Sequence, residues 1–528
     1  MRQKGDGGPK FACGCREMDG PQGRVVGHAK TNRRPQKCLC SEGLSLRFDA
    51  EAQRVLDIAA GLGADYTDVR FGMTRDEHIE VRNGVVSSLA DGDSAGFSVR
   101  TLVNGAWGFA SSADIRDPEI ERVTTLAVNI ARASAKVKSQ PISLVPSQAY
   151  VDSYKTPVEV DPDTVPLSER VNLMLAAEKE VRGAKGVTVA RAWMDIWRTK
   201  KFFANSEGSK IDQELVQCGS AIHALAVGEN DVQDRCFPGT GGLYQTGGYE
   251  IIRKAQLLEN ARRVGEEAVQ LLTAEQCPAG AMDIVLSGDQ VSLQIHESIG
   301  HALELDRVLG WEANFSGTSF ATLDKLGTFR YGSDNVSVVI DMTCPLALAT
   351  HGYDDEGVKA QPVDLIRNGV LVGYMAGRDT AQTAKVPLSG CVRAEYWGRL
   401  PMIRIGNVNL EPGSVPAEHL LDDIKQGVYM ESNRSWSIDD KRLNFQFGCQ
   451  LGYEIKDGKR GRMLKNPTYA GMTPAFWKSC DAIGDKASWV AWGTPNCGKG
   501  EPLQTARSCQ GASPSRFRNV QVGVGYGS

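Results

Sequence analysis

The chain of 528 residues holds no apolar run of membrane-spanning length and no apolar core behind a basic start, so nothing in it reads as a membrane span or a secretory signal. Nor is there a strong excess of either charge sign. The formal net charge of −4 leaves no basic field of nucleic-acid-binding scale over the whole chain. The glycine-rich Pro238-Gly239-Thr240-Gly241-Gly242 stretch, followed by Gly247-Gly248, lacks an accompanying Gly-Lys-Ser/Thr and therefore reads as a loop, not a phosphate cradle. No short internal repeat is visible. The thirteen cysteines are odd in number and scattered, a pattern that fits reduced thiols better than a disulfide framework. What these absences leave is a soluble, cytoplasmic protein. With 41% hydrophobic and 23% charged residues its composition is that of an ordinary globular chain, too long for one core.

Residues 1–42 stand apart, because Arg2, Lys4, Lys10, Arg16, Arg24, Lys30, Arg33, Arg34 and Lys37 outnumber the acids and no apolar periodicity appears. They read as a disordered basic extension. Cys13-Gly14-Cys15 and Cys38-Leu39-Cys40 within it have single-residue separations, poorer than the spacing of zinc fingers. Residues 43–277 read as an N-terminal α+β domain. Ala52, Val55, Leu56 and Ala59 signal a helix. Alternating strands then run into the Asn83-Gly84 and Asn104-Gly105 turns, which are hairpin signals. Helices follow from Asp117-Pro118 and over about Leu167 to Val181, then long strands between Val187 and Val227. A single long amphipathic helix is expected from Ile251 to Leu272.

Residues 278–528 form the second predicted domain, a β-rich, barrel-like body carrying one short helix. Its strands include Met282–Leu286 and Val336–Ile340, with hairpins at Asn368-Gly369 and Asp457-Gly458. After Ser287-Gly288-Asp289, where Asp289 is a plausible N-cap, comes Gln294-Ile295-His296-Glu297-Ser298-Ile299-Gly300-His301. Two imidazoles and a carboxylate in one short segment look like half of a metal site. Five-residue spacing puts the histidines roughly 140° apart on a regular α-helix, too far to share an ion. A π-bulge of about 4.4 residues per turn brings them to one side, with Gly300 supplying backbone freedom. A distorted helix is therefore predicted.

Read alone, a metal site of the catalytic kind needs a third ligand and an open position. Cys497 in Asn496-Cys497-Gly498-Lys499-Gly500 is a credible soft ligand on a polar glycine loop, with Glu304, Asp306 and His351 as alternatives. Glu297, directly after the first histidine, is placed to act as general base. Asp354-Asp355-Glu356 could bind a second cation but reads better as a solvated turn ended by Gly357. Arg393 and Arg404 are either ligands for a peptide's carboxylate or backbone, or structural ion-pair partners.

The His-Glu-x-x-x-His spacing with the late Asn-Cys-Gly-Lys-Gly resembles the TldD/PmbA (modulator of DNA gyrase) metallopeptidase family, TldD subunit type. Gly105-Ala106-Trp107-Gly108-Phe109-Ala110, Asp354-Asp355-Glu356-Gly357, Arg393-Ala394-Glu395-Tyr396, Pro401-Met402-Ile403-Arg404 and Val372-Gly373-Tyr374-Met375 agree in the same order, over about residues 46–528. The resemblance implies a zinc-dependent peptidase acting on unstructured peptides, with Cys497 beside His296 and His301 as ligands. It also implies a dimer, of like subunits or with a PmbA/TldE-type partner. The alternative is a non-catalytic, chamber-forming modulator subunit on the same fold. A redox or metal-storage protein, suggested only by the cysteine count, would bind several metals per chain instead of one.

Overall fold

The computed structural model describes residues 48–314 and 317–523. The expected basic extension, with its Cys13, Cys15, Cys38 and Cys40, lies outside them. The fold is α+β.

Two eight-stranded sheets dominate. The first runs in the spatial order Ala106–Ser112, Val85–Val103, Tyr66–Arg82, Val187–Asn205, Lys210–Val227, Val151–Lys155. Its main strands are antiparallel and joined by the expected Asn-Gly turns, in which Asn83, Gly84, Asn104 and Gly105 all take positive φ. Strand alternation divides the sheet into two unlike faces. Val69 and Phe71 pack with Phe97 and Phe202 beneath the helices Asp49–Gly61 and Asp117–Ala135, and Ile79 and Val81 pack with Met194, Ile196, Ile222 and Ala224 beneath Leu167–Gly183 and Leu257–Leu271. The opposite face carries Arg70, Thr74, Trp197, Lys201, Gln213 and Gln217, and it is turned toward the rest of the chain instead of solvent.

The helix expected from Ile251 to Leu272 is two helices, Glu250–Lys254 and Leu257–Leu271. Gln256 adopts a left-handed conformation (φ 50°) between them, which no continuous α-helix accommodates. Apolar spacing is preserved across the break, so periodicity alone could not reveal it.

The barrel is a closed ring of five strands. Gln426–Ile438 pairs with Gly280–Leu286, which pairs with Ser515–Val522, then Thr468–Met472, then Asn444–Lys456, which returns to Gln426–Ile438. Phe445, Phe447, Tyr469, Phe476 and Phe517 fill it, with adjacent ring centroids 4.1–5.9 Å apart. The helix Gly288–Ile295 leaves the end of Gly280–Leu286 and is buried along its length. Ser287, not Asp289, sits at its N-cap position, and Asp289 accepts a hydrogen bond from the Ser287 hydroxyl. Among the described residues no helix is long and apolar enough to cross a membrane. The nine cysteines described there are free thiols.

Candidate metal centre

The Gly288–Ile295 helix does not continue as an α-helix. His296–Gly300 is one π-helical turn and His301–Leu303 a 3-10 turn. The wider turn returns His301 to the side of His296, and the two ring centroids stand 4.9 Å apart at 90°. Gly300 contributes differently from expectation. Its φ is −52°, a conformation open to any residue, and its value lies in size, since a Cβ there would stand 3.0 Å from Ile405 Cδ1.

Cys497 joins the two histidines. One ligand atom from each of His296, His301 and Cys497 lies within 4.8 Å of the others, and Cys497 Sγ is 3.5 Å from His301 Nε2. Cys497 is not on a loop but within the strand Val490–Lys499, paired with Gln504–Ala512 in a separate two-stranded hairpin. A bulge between Thr494 and Cys497 breaks the register just before the cysteine, the kind of irregularity that re-aims a side chain.

The electrostatics suit a soft cation. Burial pushes the Cys497 thiol up, but the two imidazoles outweigh it and hold the group well below its usual range, as thiolate. Burial disfavours a charged His296, yet the facing Cys497 raises its pKa to about 9. His301 Nδ1 lies 2.9 Å from the Glu304 carboxylate, an acceptor, which orients the ring so that Nε2 is the atom facing the Cys497 sulfur. His296 Nδ1 is buried with no hydrogen-bond partner among the described residues. A tetrahedral zinc with bonds of about 2.1 Å to nitrogen and 2.3 Å to sulfur needs an N···S edge of about 3.6 Å. The 3.5 Å Cys497–His301 edge matches it, and two buried imidazole nitrogens with one thiolate are a donor set that suits zinc.

Around the ligands is a buried charged lattice. Lys499, 0% exposed, lies 3.2 Å from Glu304 and 2.8 Å from Asp306, and donates to the Ile403 carbonyl at 2.8 Å. Burial works against the Glu304 carboxylate, but Lys499 and His301 outweigh it and hold its pKa well below the ordinary range. Glu304 and Asp306, considered as ligands from sequence, therefore orient His301 and anchor Lys499. His351 does not join this group: its ring nitrogens lie 2.9 and 3.0 Å from the carbonyls of Ala349 and Gly390, and burial takes its pKa down to about 3.

Glu297 is buried, and Arg442 donates to its carboxylate at 2.5 Å. Sequence reasoning missed Arg442. It sits in the turn after Gln426–Ile438 with φ 63°, and only the turn's unusual conformation marks it. Arg393 donates to the carbonyls of Arg507 (2.7 Å) and Ile405 (2.6 Å), and Arg404 to those of Gln504 (3.1 Å) and Cys497. Both tie the Cys497 hairpin to the 403–405 segment through main-chain carbonyls.

The acidic run is not a solvated turn. Asp354, Asp355 and Glu356 are 2–4% exposed. Asp354 accepts the backbone N–H groups of Glu356, Val358 and Val392, Asp355 pairs with Lys201 at 3.1 Å, and Glu356 pairs with Arg100 at 3.1 Å. Those cations come from the first sheet, so the run rivets the two halves of the fold together.

Sequence families agree with this architecture. Residues 67–131, 160–274 and 279–523 match, in order, the models of PmbA/TldA metallopeptidase domain 1, central domain and C-terminal domain. A metalloprotease of Methanocaldococcus jannaschii is 30% identical over 420 residues, 79% of this chain and 89% of that protein. A zinc metalloprotease TldD homologue of Saccharolobus solfataricus is 25% identical over 438 residues, covering 80% and 90%. The chain thus belongs to the PmbA/TldD metallopeptidase family. Among solved structures, TldE from Thermococcus kodakarensis shares the fold, with a TM-score of 0.67 at 16% identity over 89% of this chain and 99% of that one. So does a Thermotoga maritima protein proposed to modulate a DNA gyrase, with a TM-score of 0.72 at 17% identity over 90% of this chain and 100% of that one.

Proposed function

We propose that this chain is a zinc-dependent peptidase hydrolysing peptide bonds of unstructured polypeptides, with residues 278–528 as its catalytic domain and 43–277 as its N-terminal domain. The observation that carries the reading is the convergence of His296, His301 and Cys497 ligand atoms within 4.8 Å; Glu297, the residue after His296, is buried. Zinc held by those three residues would supply Lewis acidity and a water acidic enough to ionise near pH 7. The Glu297 carboxylate takes the proton of the attacking water and returns it to the departing amine nitrogen. Arg442 fixes that carboxylate in place, and Glu304 keeps His301 in the tautomer that offers Nε2.

The TldE likeness supports assembly as a dimer, with a second copy or a PmbA/TldE-like subunit. An enclosed site of that kind admits extended chains, which bind by adding a strand to a sheet edge. A cytoplasmic location accords with the lack of a membrane-crossing helix among the described residues. The test is cleavage of an unstructured peptide by the zinc-loaded chain, alone and with its co-purified partner, before and after chelation. Zinc-dependent cleavage is expected. Tightly bound zinc with no cleavage in either form would overturn the reading in favour of a modulator subunit.

A further inference from the structure

Between the polar face of the first sheet and the C-terminal half lies a cavity of about 440 Å³, none of whose walls includes His296, His301 or Cys497. Its cationic groups are Arg70, Lys201, Arg393 and Arg507. Three of these are engaged by the protein. Arg70 donates to the Arg399 carbonyl at 2.6 Å and pairs with Asp355, Lys201 pairs with Asp355 at 3.1 Å, and Arg393 bonds the two carbonyls described above.

Arg507 is the exception. Among the described residues its guanidinium makes no hydrogen bond, and its one ion pair is with Asp76 at 3.7 Å, a carboxylate whose side chain is 56% exposed. Its Cζ lies 4.3 Å from the centroid of Trp197, which fixes the plane of the fork. Its side chain is 24% exposed, and the burial of the rest lowers its pKa to about 10 against the opposing pull of Asp76, Asp195 and Glu395. The other acidic groups of the wall already have partners. Asp354 accepts three backbone N–H groups, Asp355 holds two cations, and Glu395 accepts the Thr505 hydroxyl at 2.6 Å and faces Arg399 at 3.5 Å.

The cavity also shares a wall with the metal centre. Pro495, Thr505, Ala506 and Arg507 line it from the very hairpin that carries Cys497, and Ala506 is the cross-strand partner of Cys497. Tyr396 and Trp397 line the cavity as Trp197 does. Trp397 is held by donation from its ring Nε1 to Ser94 Oγ at 3.0 Å. Gly96 makes room for that ring, since a Cβ there would come within 2.7 Å of it.

We propose that this cavity is a carboxylate-binding subsite, in which Arg507 receives the carboxylate of a peptide while Trp197, Tyr396 and Trp397 enclose the adjoining apolar side chain. A guanidinium presents a planar fork that a carboxylate matches with two hydrogen bonds, which Asp76 at 3.7 Å does not provide. That the ligand is a peptide rests on the peptidase reading. That it bears a carboxylate does not.

The test uses the full chain carrying E297Q, so that no probe is consumed, and follows tryptophan fluorescence and calorimetry with an N-acetylated tripeptide ending in leucine. The free acid is expected to bind about tenfold or more tighter than the C-terminal amide, the worth of a charge-assisted pair. R507Q should erase the difference by weakening the acid alone, and R507K should restore part of it. A tripeptide amide with an internal glutamate separates a side-chain carboxylate from a terminal one. Equal affinity of acid and amide in the E297Q chain, which needs no substitution at Arg507, would overturn the subsite, as would a difference that survives R507Q. Acid-selective binding in a chain that never hydrolyses peptides would leave the subsite standing and remove the peptidase reading. Hydrolysis with equal affinities would do the reverse.

Discussion

Replacing Lys499 with methionine tests how the protein delivers Cys497 to its histidines. Lys499 is on the same strand, two residues on, and its ammonium sits wholly buried between Glu304 and Asp306 at 3.2 and 2.8 Å. Methionine keeps most of the volume, so the substitution isolates charge from packing. Removing one member of a buried ion pair leaves the others uncompensated and costs about 3–5 kcal/mol. Two carboxylates are stranded here, but one of them, Glu304, retains His301 at 2.9 Å, which argues for the lower half of that range. A loss of about 3 kcal/mol at the midpoint lowers Tm by roughly 6–12 °C for domains of 150–250 residues. The second consequence is on the metal. Glu304 fixes the His301 tautomer and Lys499 fixes Glu304, and loss of such an outer partner weakens metal binding about 10–100-fold. Thermal unfolding of the metal-free protein and zinc affinity by chelator competition read the two effects separately. A K499M protein with unchanged Tm and zinc affinity within about twofold of the parent would show that the lattice does not hold the hairpin, and the reasoning would fail.

R442K and R442A should lower kcat by about 10-fold or more, because a charge-assisted bond to Glu297 is worth about 1.5–3 kcal/mol, while zinc content stays unchanged; loss of zinc instead would place Arg442 among the supports of the metal. G300A should bind zinc within about threefold of the parent, since Gly300 has an ordinary helical φ and only Ile405 must give way; a protein that no longer binds zinc would restore the need for backbone freedom. Acid should destabilise the fold in a defined window. Burial opposes ionisation of Glu304 and of Asp355, but Lys499 and His301 outweigh it for the first and Lys201 and Arg70 for the second, so both sit below the usual carboxylate range. A depressed folded-state pKa stabilises above the unfolded value near 4 and is lost as pH falls below it. Unfolding midpoints should hold above about pH 5 and drop beneath it, and a flat profile down to pH 3 would contradict the pairing.

How much of this was readable from residues alone depends on range along the chain. Five-residue spacing of His296 and His301 allows a shared ion only on a widened turn, so the π-turn followed from arithmetic. Asn-Gly and Asp-Gly turns set the hairpins for the same local reason, as the positive φ values of Asn83, Asn104, Asn368 and Asp457 show. Arg442 lies 145 residues beyond Glu297, and Lys499 193 beyond Asp306; no local signal marks either pair. Asp354-Asp355-Glu356 read as exposed because its neutralising cations, Lys201 and Arg100, are 154 and 256 residues away. Charge in sequence suggests solvent, and only the tertiary partners reverse that.

The central claim is that one zinc ion, held by two histidines and a cysteine, works with the carboxylate of Glu297. Its most direct measurement is zinc stoichiometry beside turnover in E297Q, in the assembly that cleaves peptide. The account predicts one zinc per chain, as in the parent, with cleavage reduced by at least about 100-fold. An E297Q protein that cleaves at near-parental rate with its zinc in place would contradict it.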